Sequence, residues 1–459
     1  MKAPADTLGS CADFSFDSGV SAMQSSPSPN ILGITPIFVF VGLIIFAGVA
    51  TSDITAMPVL VGFMLAAGFA LLLQPKGQTL SISEKVQLFC QGGGNSNIIL
   101  LVIIFLMAGA FYSLTIDIGA RDATVNLALS WVPQSLLLPG LFIICCFISF
   151  AMGTSMGTIT ALSPIGVGLA ESLGLSSHLL MGVVISGAMF GDNLSFVSDT
   201  TIAATRSQNV RLTDKFKANL LVVTPAAIIT AALLFFVDTG TPPPLDEESY
   251  TLINVLPFIV IVGCALTGMN VVLVLASGIG SAALVGLLNG SFDVFGLFAS
   301  IQTGMGWMQN LALIAITIGG IVALMTAYGG IAWLIKLLTR RVKSKRGAEF
   351  SIASLVGFLD LTTANNTIAI VTAGPIAKDL GDEYSADPRR VASLLDIFSC
   401  ACQGMVPYSP QLLTAAAIAG ISPLSITTYC WYPMMLLVFG ILSVATGWPA
   451  FKKPMQSGL

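Results

Sequence analysis

A short polar segment in an apolar part of the chain carries the residue types that could bind a cation. Residues 191–201 read GDNLSFVSDTT and contain two carboxylates, Asp192 and Asp199, together with an amide and several hydroxyls. Residues 179–190, just before them, are apolar enough to lie in a bilayer. Because ionisable side chains are costly at membrane depth, this segment is typical of a path for an ion or a charged substrate.

The spacing of Asp192 and Asp199 limits how the two carboxylates could act together. In a continuous helix they would lie on one face, about 10 Å apart along the axis, too far apart to share one ion. Asn193, Ser195 and Ser198 can compete for backbone hydrogen bonds, and local unwinding would let carboxylate, hydroxyl and carbonyl oxygens surround one hard cation. The alternative is that one aspartate caps a helix while the other faces the cytoplasm.

The composition places these residues in a membrane protein. Hydrophobic residues make up 55% of the 459-residue chain and charged residues 9%, with a mean hydropathy of +0.90; charged residues are about a quarter of an ordinary soluble domain. We therefore predict an all-α polytopic membrane protein. The cysteines lie mostly in apolar runs without CxxC spacing, which predicts neither a disulfide framework nor a metal centre. Nothing in the composition supports nucleic-acid binding.

Apolar runs of about 20 residues, the length that crosses the hydrocarbon core, divide the chain into candidate spans. Two further apolar segments, 138–170 and 350–376, are interrupted by Gly, Pro, Thr, Ser and Asn. Such interruptions are tolerated where the backbone is buried in protein or lines a cavity, so we expect two re-entrant hairpins. The ten predicted spans are 31–50, 55–74, 98–118, 179–203, 217–237, 252–267, 271–289, 311–336, 391–418 and 428–448.

The distribution of Lys and Arg supports this topology, because cytoplasmic loops carry an excess of these residues. With both interrupted segments treated as hairpins, 18 of the 19 Lys and Arg residues fall on the cytoplasmic side, and Arg121 is the exception. The acidic loop at 238–250 then lies outside. The topology predicts a multi-pass protein of the cell inner (plasma) membrane, in contact with membrane lipids, with both termini cytoplasmic.

The predicted topology divides into two halves of opposite orientation, each with five transmembrane helices and one re-entrant hairpin. Inverted repeats of this kind are typical of secondary transporters. Gly94 and Gly109 recur 210 positions later as Gly304 and Gly319, which supports the division. The predicted units are a flexible cytoplasmic N-terminal extension at 1–30, the first repeat at 31–237, the second, inverted repeat at 238–448 and a cytoplasmic tail at 449–459.

Inverted repeats place the transport site near the midplane, where broken helices expose half-helix ends and backbone carbonyls. Four segments are therefore expected to converge, namely 153–164, 191–201, 360–375 and 396–410. The amides of the second half could coordinate an ion or satisfy freed backbone groups, and its Asp396 could instead belong to a polar seam between helices. The predicted ion- or substrate-binding residues are Thr154, Ser155, Thr158, Asp192, Asn193, Ser195, Ser198, Asp199, Thr200, Asp360, Asn365, Asn366, Thr367, Asp396 and Ser409, with Asp192 and Asp199 as the Na+ ligands.

Two motifs resemble a known family. GDNLSFVSDTT is similar to the GDxxSPxSDTT signature of the NhaC-type sodium/proton antiporters of the ion-transporter superfamily, and GTSMGTITALSPIG at 153–166 resembles that family's GTSWGT hairpin with its following proline. Phe196 stands where the family often has Pro, and Met156 where an aromatic residue is common. By this resemblance the cation or substrate region contains Asp192, Ser195, Ser198, Asp199 and Thr200.

The resemblance implies a secondary active transporter, not an enzyme, that exchanges Na+ for H+ by alternating access as the two ions compete for Asp carboxylates at the midplane. No cofactor is predicted beyond Na+ and H+ as transported or coupling ions, and no GxxxxGK[ST] loop supports ATP-driven pumping. The alternative is a Na+- or H+-coupled transporter of an amino acid or small carboxylate, which half-helix N-termini would suit. A passive channel or an intramembrane hydrolase is a third class, and a homodimer is left open.

Overall fold

The part of the chain that the computed structural model describes is helical and contains no strand, which confirms the all-α prediction. The predicted N-terminal extension, the acidic loop and the C-terminal tail lie almost entirely outside this part. The described residues are 28–51, 56–74, 80–196, 198–238, 252–340 and 342–450.

The helices of the first half run from the N-terminal side to the acidic loop, and most of them are strongly apolar. They are α1 (Thr35–Thr51), α2 (Val59–Leu72), α3 (Ile82–Gly93), α4 (Ser96–Asp117), α5 (Ala120–Trp131), α6 (Leu137–Met152), α7 (Ser155–Leu173), α8 (Ser177–Leu194), α9 (Asp199–Gln208) and α10 (Leu212–Phe235).

The helices of the second half follow the acidic loop and continue to the C-terminal side of the described chain. They are α11 (Leu256–Leu266), α12 (Val271–Asn289), α13 (Val294–Trp307), α14 (Gln309–Ala327), α15 (Gly330–Thr339), α16 (Lys345–Thr363), α17 (Asn366–Glu383), α18 (Pro388–Gln403), α19 (Pro410–Ala419), α20 (Pro423–Thr427) and α21 (Trp431–Thr446).

Several neighbouring helices are separated by a residue in the left-handed conformation, which a right-handed helix cannot accommodate. Gly153 has φ of +69° between α6 and α7, and Ala364 has φ of +48° between α16 and α17. Both breaks fall inside the segments that the sequence predicts to be interrupted. Pro164 and Pro375, by contrast, lie inside α7 and α17 without ending them.

The continuity of the helices differs from the predicted spans at three places. Among the described residues, six helical segments are long and apolar enough to cross a bilayer, one of them being Ser177–Gln208, which contains α8 and α9, and further apolar helices are shorter. The spans expected at 179–203, 311–336 and 391–418 are each divided into two helices. The polar residues at 193, 195 and 198 predict the first of these breaks, whereas the break in 311–336 falls at Tyr328 and Gly329, among apolar and small residues. The apolar helices nevertheless agree with a polytopic membrane protein.

Packing between distant helices brings the breaks together. Within the first half α8 lies against α6 and α7, and within the second half α18 lies against α16 and α17. Two short helices contact the other half of the protein. Helix α19 of the second half packs against α7, and α9 of the first half packs against α17. The ends of α8, α9, α18 and α19 therefore meet the breaks that begin α7 and α17.

Candidate functional site

A cavity of about 410 Å³ lies where the interrupted helices meet. Its walls include the first residues of α7, α9, α17 and α19, together with the last turns of α8 and α18. Exposed half-helix N-termini of this kind carry unpaired N–H groups. The predicted site residues in its lining are Thr154, Ser155, Asp192, Ser198, Asp199, Thr200, Asn365, Asn366 and Thr367.

Asp192, in the last turn of α8, is a buried carboxylate in the cavity wall, with 5% of the residue exposed. Ser155 Oγ donates to its Oδ2 over 2.9 Å, and Ser198 Oγ donates to its Oδ1. The Thr200 hydroxyl lies 2.8 Å from Ser198 Oγ. Among the described ion pairs none involves Asp192. A carboxylate among hydroxyl oxygens is a donor set that suits a hard cation.

The glycine that precedes Asp192 fixes the position of α8. A Cβ added at Gly191 would lie 2.4 Å from the backbone nitrogen of Phe150, and one added at Gly187 would lie 2.4 Å from Cys145 Cβ. Real Cβ atoms cannot approach so closely, so these two glycines let α8 lie directly on α6. The Gly–Asp pair of the motif thus combines close helix contact with the placement of the carboxylate.

Asp199 lies in a different environment from Asp192. The chain leaves the helix after Leu194 and begins α9 at Asp199, so the two carboxylates are not stacked along one continuous helix. Asp199 lines the cavity with an exposed side chain in the first turn of α9. Asn193, Ser195 and Ser198 predict local unwinding between the two aspartates. The structure has it there, with Asp192 buried and Asp199 solvent-facing.

Asp396 is engaged in a buried ion pair rather than facing the cavity. Lys215 Nζ lies 2.8 Å from Asp396 Oδ2, with the two side chains 1% and 0% exposed, and Asn219 Nδ2 donates to the same oxygen over 2.7 Å. Lys215 Nζ also donates to the Asn193 carbonyl over 2.8 Å and to Thr201 Oγ1 over 2.6 Å. Lys215 is one of the Lys and Arg residues assigned above to the cytoplasmic side, and nothing in the sequence indicates that it pairs with a buried carboxylate from the other half of the chain.

The remaining predicted residues lie near the cavity without lining it. Asp360 is fully buried on α16, and its carboxyl oxygens form no hydrogen bond within the described residues. Two others make local hydrogen bonds, since Thr158 Oγ1 donates to Thr154 O and Asn193 Nδ2 donates to Met189 O. The last two lie at helix ends: Ser409 Oγ caps the start of α19, and Ser195 follows the last residue of α8.

Four amides that line the cavity are absent from the predicted ion- or substrate-binding residues, although one of them lies in the predicted segment 396–410. They are Asn97, Asn270, Gln403 and Gln411. Neutral amides inside long apolar chains carry little signal on their own. Gln411 directly follows a Ser–Pro pair that starts a helix, however, and Gln403 precedes the break on the other side. Polar residues on both flanks of this break would have added Gln411 to the predicted segment 396–410, which already contains Gln403.

Comparison with known proteins identifies the family. The sequence matches the model of the Na+/H+ antiporter family over residues 20–239 and 245–448. It is 24% identical to the arginine/ornithine antiporter ArcD of Halobacterium salinarum, over 78% of this chain and 80% of that protein. It is 23% identical to the malate-2H+/Na+-lactate antiporter of Bacillus subtilis, over 77% and 82%.

A third relative carries the name that the motifs predicted. The chain is 22% identical to the Na+/H+ antiporter NhaC of Alkalihalophilus pseudofirmus, over 76% of this chain and 81% of that protein. The resemblance of the two motifs to NhaC-type antiporters is thereby confirmed. The chain belongs to the Na+/H+ antiporter family and is a secondary transporter rather than an enzyme.

Proposed function

We propose that the protein exchanges Na+ for H+ across the membrane and that the two ions compete for Asp192. The observation that carries this proposal is a buried carboxylate in a cavity wall, surrounded by hydroxyl groups, with no basic partner among the described residues. A buried carboxylate is costly unless it is neutralised, so it favours a bound cation or a bound proton. The relatives named Na+/H+ antiporters support these ions as the cargo.

The other aspartates have different roles in this proposal. A cation that bound Asp396 would have to displace Lys215, which is buried and would then be uncompensated. Asp199 is exposed at the cavity lining, where it would raise the local cation concentration without holding a dehydrated ion. This division makes Asp192 the carboxylate for which the two ions compete.

We also propose that the chain consists of two inverted repeats, each with five spans and one hairpin, formed by α6–α7 and by α16–α17. The contacts between the two halves are reciprocal. Helix α4 of the first half contacts α13 of the second, and α3 of the first half contacts α14 of the second. A Cβ at Gly109 would lie 2.1 Å from Gly304 O, and one at Gly92 would lie 2.3 Å from Gly319 O. Reciprocal contacts of this kind are what a two-fold axis generates. Alternating access would then be a movement of one repeat relative to the other.

The location of the protein follows from the same topology. We propose the inner (plasma) membrane with both termini cytoplasmic, because that orientation leaves nearly all Lys and Arg residues on the cytoplasmic side. No resident cofactor belongs to this proposal, and Na+ and H+ are its substrates. Mass measurement of the detergent-solubilised protein would decide between a monomer and a homodimer.

A second candidate function is coupled transport of an amino acid or small organic acid. The observation that favours it is the cavity volume of about 410 Å³, which exceeds the need of a single dehydrated Na+. The N-termini of α7 and α17 at this cavity would suit a carboxylate group. Two relatives are named for arginine/ornithine and for malate and lactate, which makes this class a concrete alternative.

Purified protein in liposomes loaded with a pH dye distinguishes these functions. For Na+/H+ exchange, an inward Na+ gradient alone should drive protons out of the liposomes. Asp192→Asn should abolish this flux, whereas Asp122→Asn, at an exposed carboxylate outside the cavity, should not. Proton flux that requires an added amino acid or organic acid would support the second candidate and overturn the first.

A further inference from the structure

An unbroken chain of hydrogen bonds connects the second half of the protein to Asp192. Gln403 Nε2 donates to Ala364 O over 3.1 Å and to Gln411 Oε1 over 2.8 Å. Gln411 Nε2 donates to Ser155 Oγ over 3.2 Å, and Ser155 Oγ donates to Asp192 Oδ2 over 2.9 Å. All three donor residues are at least 96% buried. The chain therefore crosses from the break before α17 to the carboxylate on α8.

The carbonyl of Ala364, at one end of this chain, determines which atom donates and which accepts in each of its hydrogen bonds. The carbonyl of Ala364 can only accept, so the nitrogen of the Gln403 amide must face it. Both N–H groups of Gln403 are then used, and Gln411 must accept with its oxygen and donate with its nitrogen. The Ser155 hydroxyl has a single hydrogen, which is left for Asp192.

In this arrangement the oxygen of the Gln403 side-chain amide is an acceptor without a donor among the described residues. Gln403 Oε1 is buried and receives no hydrogen bond from any residue that the structure describes, although Gln403 lines the cavity. Buried polar atoms are nearly always paired, so an unpaired amide oxygen on a residue that lines a cavity indicates a group that this oxygen contacts when the site is filled. An amide oxygen is a neutral, hard donor of the type that alkali and alkaline-earth cations accept. It adds a ligand without adding charge to the site.

We propose that Gln403 is a further ligand of the transported cation through its Oε1, and that Gln411 is a positioning residue that holds the Ser155 hydroxyl on Asp192. This proposal rests on the cation transport proposed above and extends the site to the second repeat. The cation is then bound by Asp192 and Ser198 of the first half and by Gln403 of the second. Occupancy of the site therefore couples the two halves, because each half supplies ligands to the same ion.

Gln403→Met tests the ligand role, with Gln208→Met as its matched control. Gln208 is also a buried amide that donates to a backbone carbonyl, that of Gly374 over 2.9 Å, but it does not line the cavity. Loss of one cation ligand should weaken Na+ binding about tenfold, the effect of roughly one charged hydrogen bond. Radioactive Na+ binding to purified protein measures the Kd, and Na+-driven proton flux in liposomes measures KM and kcat. Gln208→Met should leave both Kd and KM within about twofold of wild type.

The positioning role of Gln411 is tested in combination with Ser155. Gln411→Met should raise the KM for Na+, but it should add nothing further in a Ser155→Ala background, because Gln411 acts through that hydroxyl. Gln403→Met should still raise KM in the same background. If Gln403→Met does not yield folded protein, Gln403→Asn withdraws the oxygen by one methylene and should raise KM in the same direction.

Two results would overturn the proposal. One is an unchanged Na+ Kd in the Gln403 variants, and the other is a Gln208→Met effect as large as that of Gln403→Met. Failure of the proposed function is distinguishable from these results. Wild-type protein that binds Na+ but moves no protons contradicts the exchange reaction while the Kd comparison still decides the ligand role. Wild-type protein without any Na+ binding contradicts both.

Discussion

Removal of Lys215 from the buried pair with Asp396 should be among the most damaging single substitutions in this protein. The two side chains are 1% and 0% exposed and their charged atoms lie 2.8 Å apart. Lys215→Met would leave Asp396 buried with only the Asn219 amide to stabilise its charge. Removing one partner of a buried pair typically costs about 3–5 kcal/mol, because the remaining charge stays desolvated and uncompensated.

Loss of the Lys215 ammonium should also disturb the backbone geometry around Asp192. This ammonium donates to the Asn193 carbonyl at the end of α8 and to Thr201 Oγ1 in α9, on either side of the break that follows Asp192. We therefore expect Lys215→Met to reduce transport in the fraction of protein that folds. Lys215→Met combined with Asp396→Asn should recover much of the stability, because neutral replacement of a whole buried pair is often well tolerated.

The ion pair of Arg211 and Asp214, at the start of the same helix, provides a control for these variants. Its atoms are 2.9 Å apart, but 69% of the Arg211 side chain is exposed. Arg211→Met should cost at most about 1 kcal/mol, as is usual for surface ion pairs. Thermal unfolding of detergent-purified protein and the yield of folded protein give the comparison. A Lys215→Met effect no larger than that of Arg211→Met, or no recovery in the double variant, would refute the reasoning.

Three further predictions concern the cavity and the helix contacts that position it. Asp199→Asn should raise the KM for Na+ by a small factor that shrinks at high ionic strength, because an exposed carboxylate acts by long-range attraction. Flux measured at two salt concentrations tests this, and complete loss of transport would contradict it. Gly191→Ala should destabilise the protein by about 1–3 kcal/mol, since the added Cβ would lie 2.4 Å from Phe150 N; an unchanged melting temperature would count against the α6–α8 contact. Gly304→Ala should also reduce stability, because its Cβ would lie 2.1 Å from Gly109 O, whereas Gly306→Ala meets nothing within 4 Å and serves as its control in the same unfolding assay.

The sequence predicted the class of the protein and several residues that line the cavity, but not the contacts that place each aspartate in a different environment. The GDNLSFVSDTT motif drew attention to Asp192 because carboxylates are rare in apolar segments. No local pattern could reveal that Asp396 has a partner in Lys215, because the ion pair joins α18 to α10 and depends on how the halves pack. The break between Leu194 and Asp199, by contrast, is predicted by Asn193, Ser195 and Ser198, which can compete for backbone hydrogen bonds, and hydropathy alone would not have placed it.

The charges around the cavity predict how many cations bind at Asp192 at one time. Lys215 from the first half cancels the charge of Asp396 from the second, and Asp360 does not line the cavity. Among the described residues this leaves Asp192 as the buried cavity carboxylate without a basic partner, and the amides of the second half add ligands but no charge. A binding site whose ligands carry one negative charge, that of Asp192, is neutralised by one Na+ or by one proton, not by both. Competition for Asp192 therefore predicts that the two ions exclude each other, so raising the proton concentration should raise the apparent Kd for Na+ without lowering the number of Na+ ions bound at saturation. Simultaneous binding of Na+ and a proton at this site would contradict the argument.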